Sequence, residues 1–156
     1  MRLINGILYY QNDPFNGRVV HYYENDTLQS YVEYQFGKKN GKEEQWYSSG
    51  IKAIERYYTK GYKTGLHQGW WPDEKIKFSY YFNDEGAYHG EVKEWYNSGQ
   101  IFKDFKYIDG QEIGSQKMYQ ADGKLKANYE VFNGERFGLI GIKKCFTVNT
   151  VTNEIN

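Results

Sequence analysis

The stretch Gly41-Lys42-Glu43-Glu44-Gln45-Trp46-Tyr47-Ser48-Ser49-Gly50 returns, altered but in phase, as Gly90-Glu91-Val92-Lys93-Glu94-Trp95-Tyr96-Asn97-Ser98-Gly99. Around both copies runs a Gly-x-x-x-Gly pair: Gly37/Gly41, Gly61/Gly65, Gly86/Gly90, Gly110/Gly114 and Gly134/Gly138, with steps of 24, 25, 24 and 24 residues between the leading glycines. A fixed period of this size marks a tandem repeat. An aromatic pair follows the second glycine, as Trp46-Tyr47, Trp70-Trp71 and Trp95-Tyr96. Tyr22-Tyr23 does so after Gly17, where Asp13 stands four residues earlier, and Met118-Tyr119 follows one position early after Gly114. A third mark closes each unit: Gly50, Gly99 and Gly123, with Asp26 and Glu74 in the other copies. Each unit thus carries two turn signals with a run of residues after each.

The runs read as strands. Counting from the second glycine, the odd positions of the longer run include Val32 and Tyr34, Ile54 and Tyr58, Phe78, Tyr80 and Phe82, Phe105 and Tyr107, and Tyr129 and Val131. Between them stand mainly polar residues such as Glu33, Glu55, Ser79, Asp104 and Asn128. Apolar and polar residues alternating between glycines describe a strand with one packed and one solvated face. A glycine-marked turn such as Ser48-Ser49-Gly50 then joins the two runs of a unit into a hairpin. One hairpin is marginal alone, whereas stacked hairpins bury a continuous face. The expected fold is all-β: an elongated, twisted antiparallel sheet of tandem β-hairpin repeats of about 24 residues. Residues 1–13 form an N-terminal cap, 14–136 five hairpin repeats, and 137–156 a C-terminal cap and tail. The Gly-x-x-x-Gly segments read as links where neighbouring hairpins approach closely. Trp46, Trp70 and Trp95 share a phase and are expected to stack with covered rings.

These motifs resemble the MORN repeat in its bacterial variant, on Gly41 through Trp46-Tyr47 to Gly50, on Gly90 through Trp95-Tyr96 to Gly99, and on the Tyr58 or Tyr107 that precedes the next glycine pair. The likeness covers about residues 14–138, and the chain is similar to toxin-antitoxin antitoxins of the YwqK family. That resemblance implies a protein partner, a toxin, which the chain binds and neutralises. MORN-like repeats also serve as scaffolds and as peripheral membrane or lipid-binding modules. The third unit departs from the pattern, with Trp71-Pro72-Asp73-Glu74 in place of Tyr-x-x-Gly.

Tyr, Trp and Phe make up 19% of a chain whose hydrophobic fraction is only 39%, so the packed face is aromatic rather than aliphatic. Such rings suit half-buried surfaces and binding faces alike. Rings on the repeated phase are assigned to packing; Tyr31, Tyr57, Tyr81 and Phe102, on the other parity, are the candidates for contact. Twenty basic and twenty acidic residues cancel, which gives no nucleic-acid footprint. Residues 37–63 nevertheless carry seven basic against three acidic side chains, and residues 73–112 nine acidic against five basic. An acidic surface steers a basic partner. The candidate partner-binding residues are therefore Tyr81, Glu91, Glu94, Phe102 and Asp104. A lipid surface would instead use the basic strip from Lys38 to Lys63.

Nothing points to catalysis. His21, His67 and His89 fall at three different phases without metal-ligand spacing, and phosphate loops, nucleophile motifs and dinucleotide fingerprints are absent. No cofactor is expected. Cys145, the single cysteine, sits in apolar surroundings and reads as a buried thiol. No signal peptide or membrane-spanning stretch is visible, and a cytoplasmic location is expected.

Overall fold

A computed structural model describes residues 1–141, and no α-helix occurs among them. Strands β1 (Arg2–Ile4), β2 (Ile7–Tyr10) and β3 (Asp13–Pro14) form a small sheet in that order. The next six are β4 (Gly17–Tyr22), β5 (Leu28–Gln35), β6 (Lys38–Trp46), β7 (Lys52–Thr59), β8 (Tyr62–Lys63) and β9 (Gly65–Trp70). Then come β10 (Ile76–Phe82), β11 (Tyr88–Trp95), β12 (Ile101–Ile108), β13 (Gln111–Glu112), β14 (Gly114–Tyr119), β15 (Leu125–Phe132) and β16 (Glu135–Leu139). From β4 onward they make one antiparallel sheet in which each long strand pairs with its neighbours in sequence, while β8 and β13 attach to β7 and β12. The outermost strands β4 and β16 do not pair with each other, so the sheet is open. The repeat array expected from the glycine spacing is present. Cys145 and the C-terminal segment beyond residue 141 lie outside the described residues.

Two kinds of turn alternate. At one end of the sheet the turns Ser48–Gly50, Pro72–Glu74, Asn97–Gly99 and Ala121–Gly123 close as expected, with Gly50 N donating to Tyr47 O at 2.8 Å and Tyr47 N to Ile51 O at 2.8 Å. Asp26 and Glu74 take the glycine's part at φ 60° and 64°. At the other end the leading glycine of four of the five pairs is the second residue of a two-residue turn: Phe36-Gly37, Lys60-Gly61, Asp109-Gly110 and Asn133-Gly134 all have both φ values positive, the signature of type I′ hairpins. Gln11-Asn12 forms the same turn, so Asn12, rather than Asp13, holds the first unit's turn position. The link at Gly86 differs. Asn83 N donates to Ala87 O and Gly86 N to Asn83 O, the pattern of the opposite end, which needs longer loops. That exchange accounts for the single step of 25 residues.

The second glycine of the first four pairs, Gly41, Gly65, Gly90 and Gly114, marks a break in the ladder, whereas Gly138 pairs in regular register with Tyr129. Tyr58 pairs with Lys63 and Glu55 with Gln68, so the four residues Thr64–His67 face only two, Arg56 and Tyr57. Between β12 and β13/β14 the same slip sets 113–116 against Phe105 and Lys106. Backbone groups stranded by such a slip need substitute partners. His67, 1% exposed, supplies one, with Nε2 2.8 Å from Tyr57 O. Gln116, fully buried, does the same for Lys106, donating from Nε2 to Lys106 O at 2.9 Å while Oε1 accepts from Lys106 N at 3.1 Å.

The packed face is the aromatic one. Val92, Phe105, Ala127 and Tyr129 are its most buried cluster, with Tyr80, Tyr88 and Tyr107 against them. Rings run across the strands from Tyr58 to His67 (5.6 Å between centroids), Phe82 (4.6 Å), Tyr88 (4.7 Å, stacked) and Tyr107 (5.3 Å). The tryptophans do not join that row. Trp46, Trp70 and Trp95 are only half-buried, and each pairs across a bulge at the far end of its hairpin. Their carbonyls, and that of Tyr119, instead anchor a ring of the preceding unit: Tyr23 Oη donates to Trp46 O (2.8 Å), Tyr47 Oη to Trp70 O (2.9 Å), Trp71 Nε1 to Trp95 O (3.3 Å) and Tyr96 Oη to Tyr119 O (3.1 Å).

Candidate partner-binding face

Alternation along the strands sends the remaining side chains to the opposite, solvated face. There Glu55 pairs with Gln68, Leu66 with Tyr81, Ser79 with Lys93, Glu91 with Lys106 and Lys93 with Asp104. Tyr57, Leu66 and Tyr81 are 38%, 44% and 46% exposed, and the three come from the adjacent strands β7, β9 and β10. Large apolar groups open to water at the middle of a sheet, rather than at its rim, are what a partner-covered surface looks like.

Charges flank this strip on both sides. Toward β6, Lys42 and Lys52 each contact Glu44 and Glu55, with Nζ to carboxylate distances between 2.6 and 3.1 Å. Burial alone would raise the Glu55 pKa; hydrogen bonds from Lys52, Lys42 and the Tyr57 hydroxyl outweigh it and hold the group at about 2. Toward β12, Lys93 Nζ lies 2.8 Å from Glu91 and 3.9 Å from Asp104, and the Lys93 hydrogen bond draws the Glu91 carboxyl below its ordinary range. Asp104 Oδ1 is shielded from solvent and has no hydrogen-bond partner among the described residues.

The five residues singled out by sequence are thereby divided. Tyr81, Glu91 and Asp104 share the solvated face across β10, β11 and β12. Glu94 lies on the packed face, opposite Phe78 and Lys103, where burial, reinforced by the Glu94 charge, pushes the Tyr80 hydroxyl up. Phe102 is the extra residue of the β11–β12 bulge and packs edge-on against Tyr96, with centroids 5.3 Å apart. The charge asymmetry along the chain is largely neutralised in space. Of the seven cations between residues 37 and 63, Lys39, Lys42, Lys52 and Arg56 stand within 4 Å of a carboxylate. Sequence reasoning missed Leu66. Its signal was an apolar residue one place after the second glycine, where Arg18, Lys42, Glu91 and Ser115 stand in four other units and Leu139 in the last.

No group of three or more His, Cys, Asp or Glu able to hold a metal ion occurs among the described residues, and no helix there is long and apolar enough to cross a membrane. Fold and face together define an open meander of β-hairpin repeats with an aromatic strip exposed between two charged borders. No protein-family model matches the chain, and no curated protein is detectably similar to it.

Proposed function

We propose that the protein is a non-enzymatic interaction module of the antitoxin or immunity type, built on MORN-like repeats, that binds a protein toxin in the cytoplasm and blocks it by occlusion. The observation that carries this reading is the Tyr57–Leu66–Tyr81 strip with its charged borders. Aromatic anchors ringed by polar groups are the usual composition of a protein-binding hot spot. Occlusion requires no reacting groups, only a rigid surface, and a sheet whose strands are all paired with their neighbours supplies one. The toxin as partner rests on the resemblance of the repeats to YwqK-type antitoxins. Co-expression with the product of an adjacent toxin-like gene tests it: the wild-type chain should restore growth and form a complex, and Tyr81→Arg should lose both while keeping its β-sheet circular dichroism. Rescue undiminished in the folded Tyr81→Arg variant would remove this face from the interaction, and absence of any complex would remove the antitoxin reading.

A further inference from the structure

A row of packed-face positions near the tryptophan end of the hairpins changes character halfway along the sheet. From Phe78 onward larger side chains occupy it, and the groove over Phe78 and Glu94 narrows to about 240 Å³. The Phe78 ring covers Gly69, where an added Cβ would stand 2.7 Å from the ring's Cδ1 and Cζ; Glu94 meets Lys103 at 3.6 Å, and Met118 faces Ala127. In the first two units the same row is His21, Ser30, Gln45 and Ile54, paired in that order across β4, β5, β6 and β7. These side chains are shorter or more polar, and a groove of about 580 Å³ lies over them. Its walls are aromatic: Trp46 and Trp70, with Tyr23 and Tyr47. Both tyrosine hydroxyls are committed to the neighbouring tryptophan carbonyls, so these rings are fixed in place.

The hydrogen-bonding groups of the floor and rim are an imidazole, a hydroxyl and two side-chain amides. His21 Nδ1 lies 3.1 Å from Ser30 Oγ, and Gln45 donates from Nε2 to Glu43 at 3.0 Å, which leaves its Oε1 as an acceptor. Gln29 brings a second amide to the rim. No carboxylate lines the groove, and the one ammonium, that of Lys77, is drawn 4.4 Å over the Trp71 ring. A metal ion lacks its anionic ligands here, and a phosphate lacks a cluster of cations. An extended peptide has no strand edge to join on the face of a paired sheet. A sugar ring fits: its C–H face stacks on the negative face of an indole, and its hydroxyls pair with side-chain amides that both donate and accept.

We propose that this groove is a binding site for a neutral saccharide, held against Trp46 and Trp70 with its hydroxyls on Gln45, Gln29 and His21. The site is on the opposite face from the protein-binding strip, so both can be filled together. Titrating the full chain with maltotriose, cellotriose and triacetylchitotriose, followed by tryptophan fluorescence and ¹H–¹⁵N spectra, tests it. At least one should saturate at millimolar concentration or below, shifting the Gln29 and Gln45 side-chain amides and the Trp46 and Trp70 indoles. Gln45→Ala should weaken that binding about tenfold, and Ser30→Trp, which fills the groove, should abolish it. Gln29→Ala, exposed at the rim, serves if either variant fails to fold, with a several-fold loss expected. No saturation by any of the three sugars, shifts confined to the Tyr57 and Tyr81 face, or undiminished affinity in the folded variants would each overturn the proposal.

Discussion

At the scale of single residues, the aromatic pairs divide their work: Trp46, Trp70 and Trp95 offer a carbonyl, and the second member of the pair one unit earlier donates to it. Tyr47→Phe keeps the ring and deletes only the bond to Trp70 O, so denaturant unfolding should show a loss of about 1 kcal/mol, the usual net worth of such a bond. Trp71 keeps the scheme with an indole N–H, since a carbonyl acceptor needs only a donor. The pairing was plain in the sequence as a periodic motif, but the bond was not, because its partner lies 23 or 24 residues away and is a backbone atom. His67 was equally opaque. Burial, with help from the charges of Arg56 and Lys63, lowers its pKa from the ordinary 6.5, so the folded chain refuses a proton that the unfolded chain accepts. Stability should therefore be flat above about pH 6.5 and fall as pH drops below it, down to the folded-state pKa. Gln116 does the same bridging without titrating. His67→Gln should retain stability at pH 7.5 and remove the decline between pH 6.5 and 5.5; a decline that persists unchanged would mean another group is responsible.

Among the elements, the turns decide the architecture, and here the reading from sequence went furthest. The five far-end turns, from the one at Asp26 to the one at Gly123, all fall where glycine or its substitutes stand. The Gly-x-x-x-Gly segment was recognised as a link, yet its two glycines have separate tasks, one in a type I′ turn and one at a ladder slip, and spacing alone does not separate them. Glu74 occupies a position that glycine fills in three other units, at φ 64° and with a Cβ to accommodate. Glu74→Gly should raise stability by up to about 1 kcal/mol, relief of left-handed strain being partly offset by chain entropy. Gly37 and Gly134 permit a controlled comparison. Both complete type I′ turns, at φ 73° and 79°, but a Cβ on Gly37 would stand 2.6 Å from Leu8 O in the N-terminal sheet, whereas one on Gly134 meets nothing. Alanine at either site should cost about 1 kcal/mol through backbone strain. Gly37→Ala should cost distinctly more, and equal thermal shifts for the two would show that the N-terminal sheet yields freely at that contact.

For the whole molecule, the sheet's two faces sort the functional candidates in a way no linear reading could. Counting charges along the chain suggested an acidic region, but cross-strand pairing sets Glu91 against Lys106 and Asp104 against Lys93, so neutralising partners come from neighbouring strands. Glu94 was misgrouped for a related reason: it has the polar character of a surface residue and the parity of the packed face. Reversal confined to the solvated face is the sharper probe of the proposed interface. Glu91→Lys with Asp104→Lys should leave the fold intact and slow association with a protein partner, more at low salt than at high, since screening acts over roughly 8 Å at physiological ionic strength. Equal association rates at both salt concentrations would place the charged border outside the interface.

Because every long strand from β4 to β16 is bonded only to its neighbours in sequence, the sheet answers tension in a particular way. Force applied across its two outermost strands loads the backbone bonds in order, one ladder at a time, rather than all at once in shear. The array should therefore yield hairpin by hairpin at modest force and re-form by the same short steps, behaving as an extensible element rather than a brittle one.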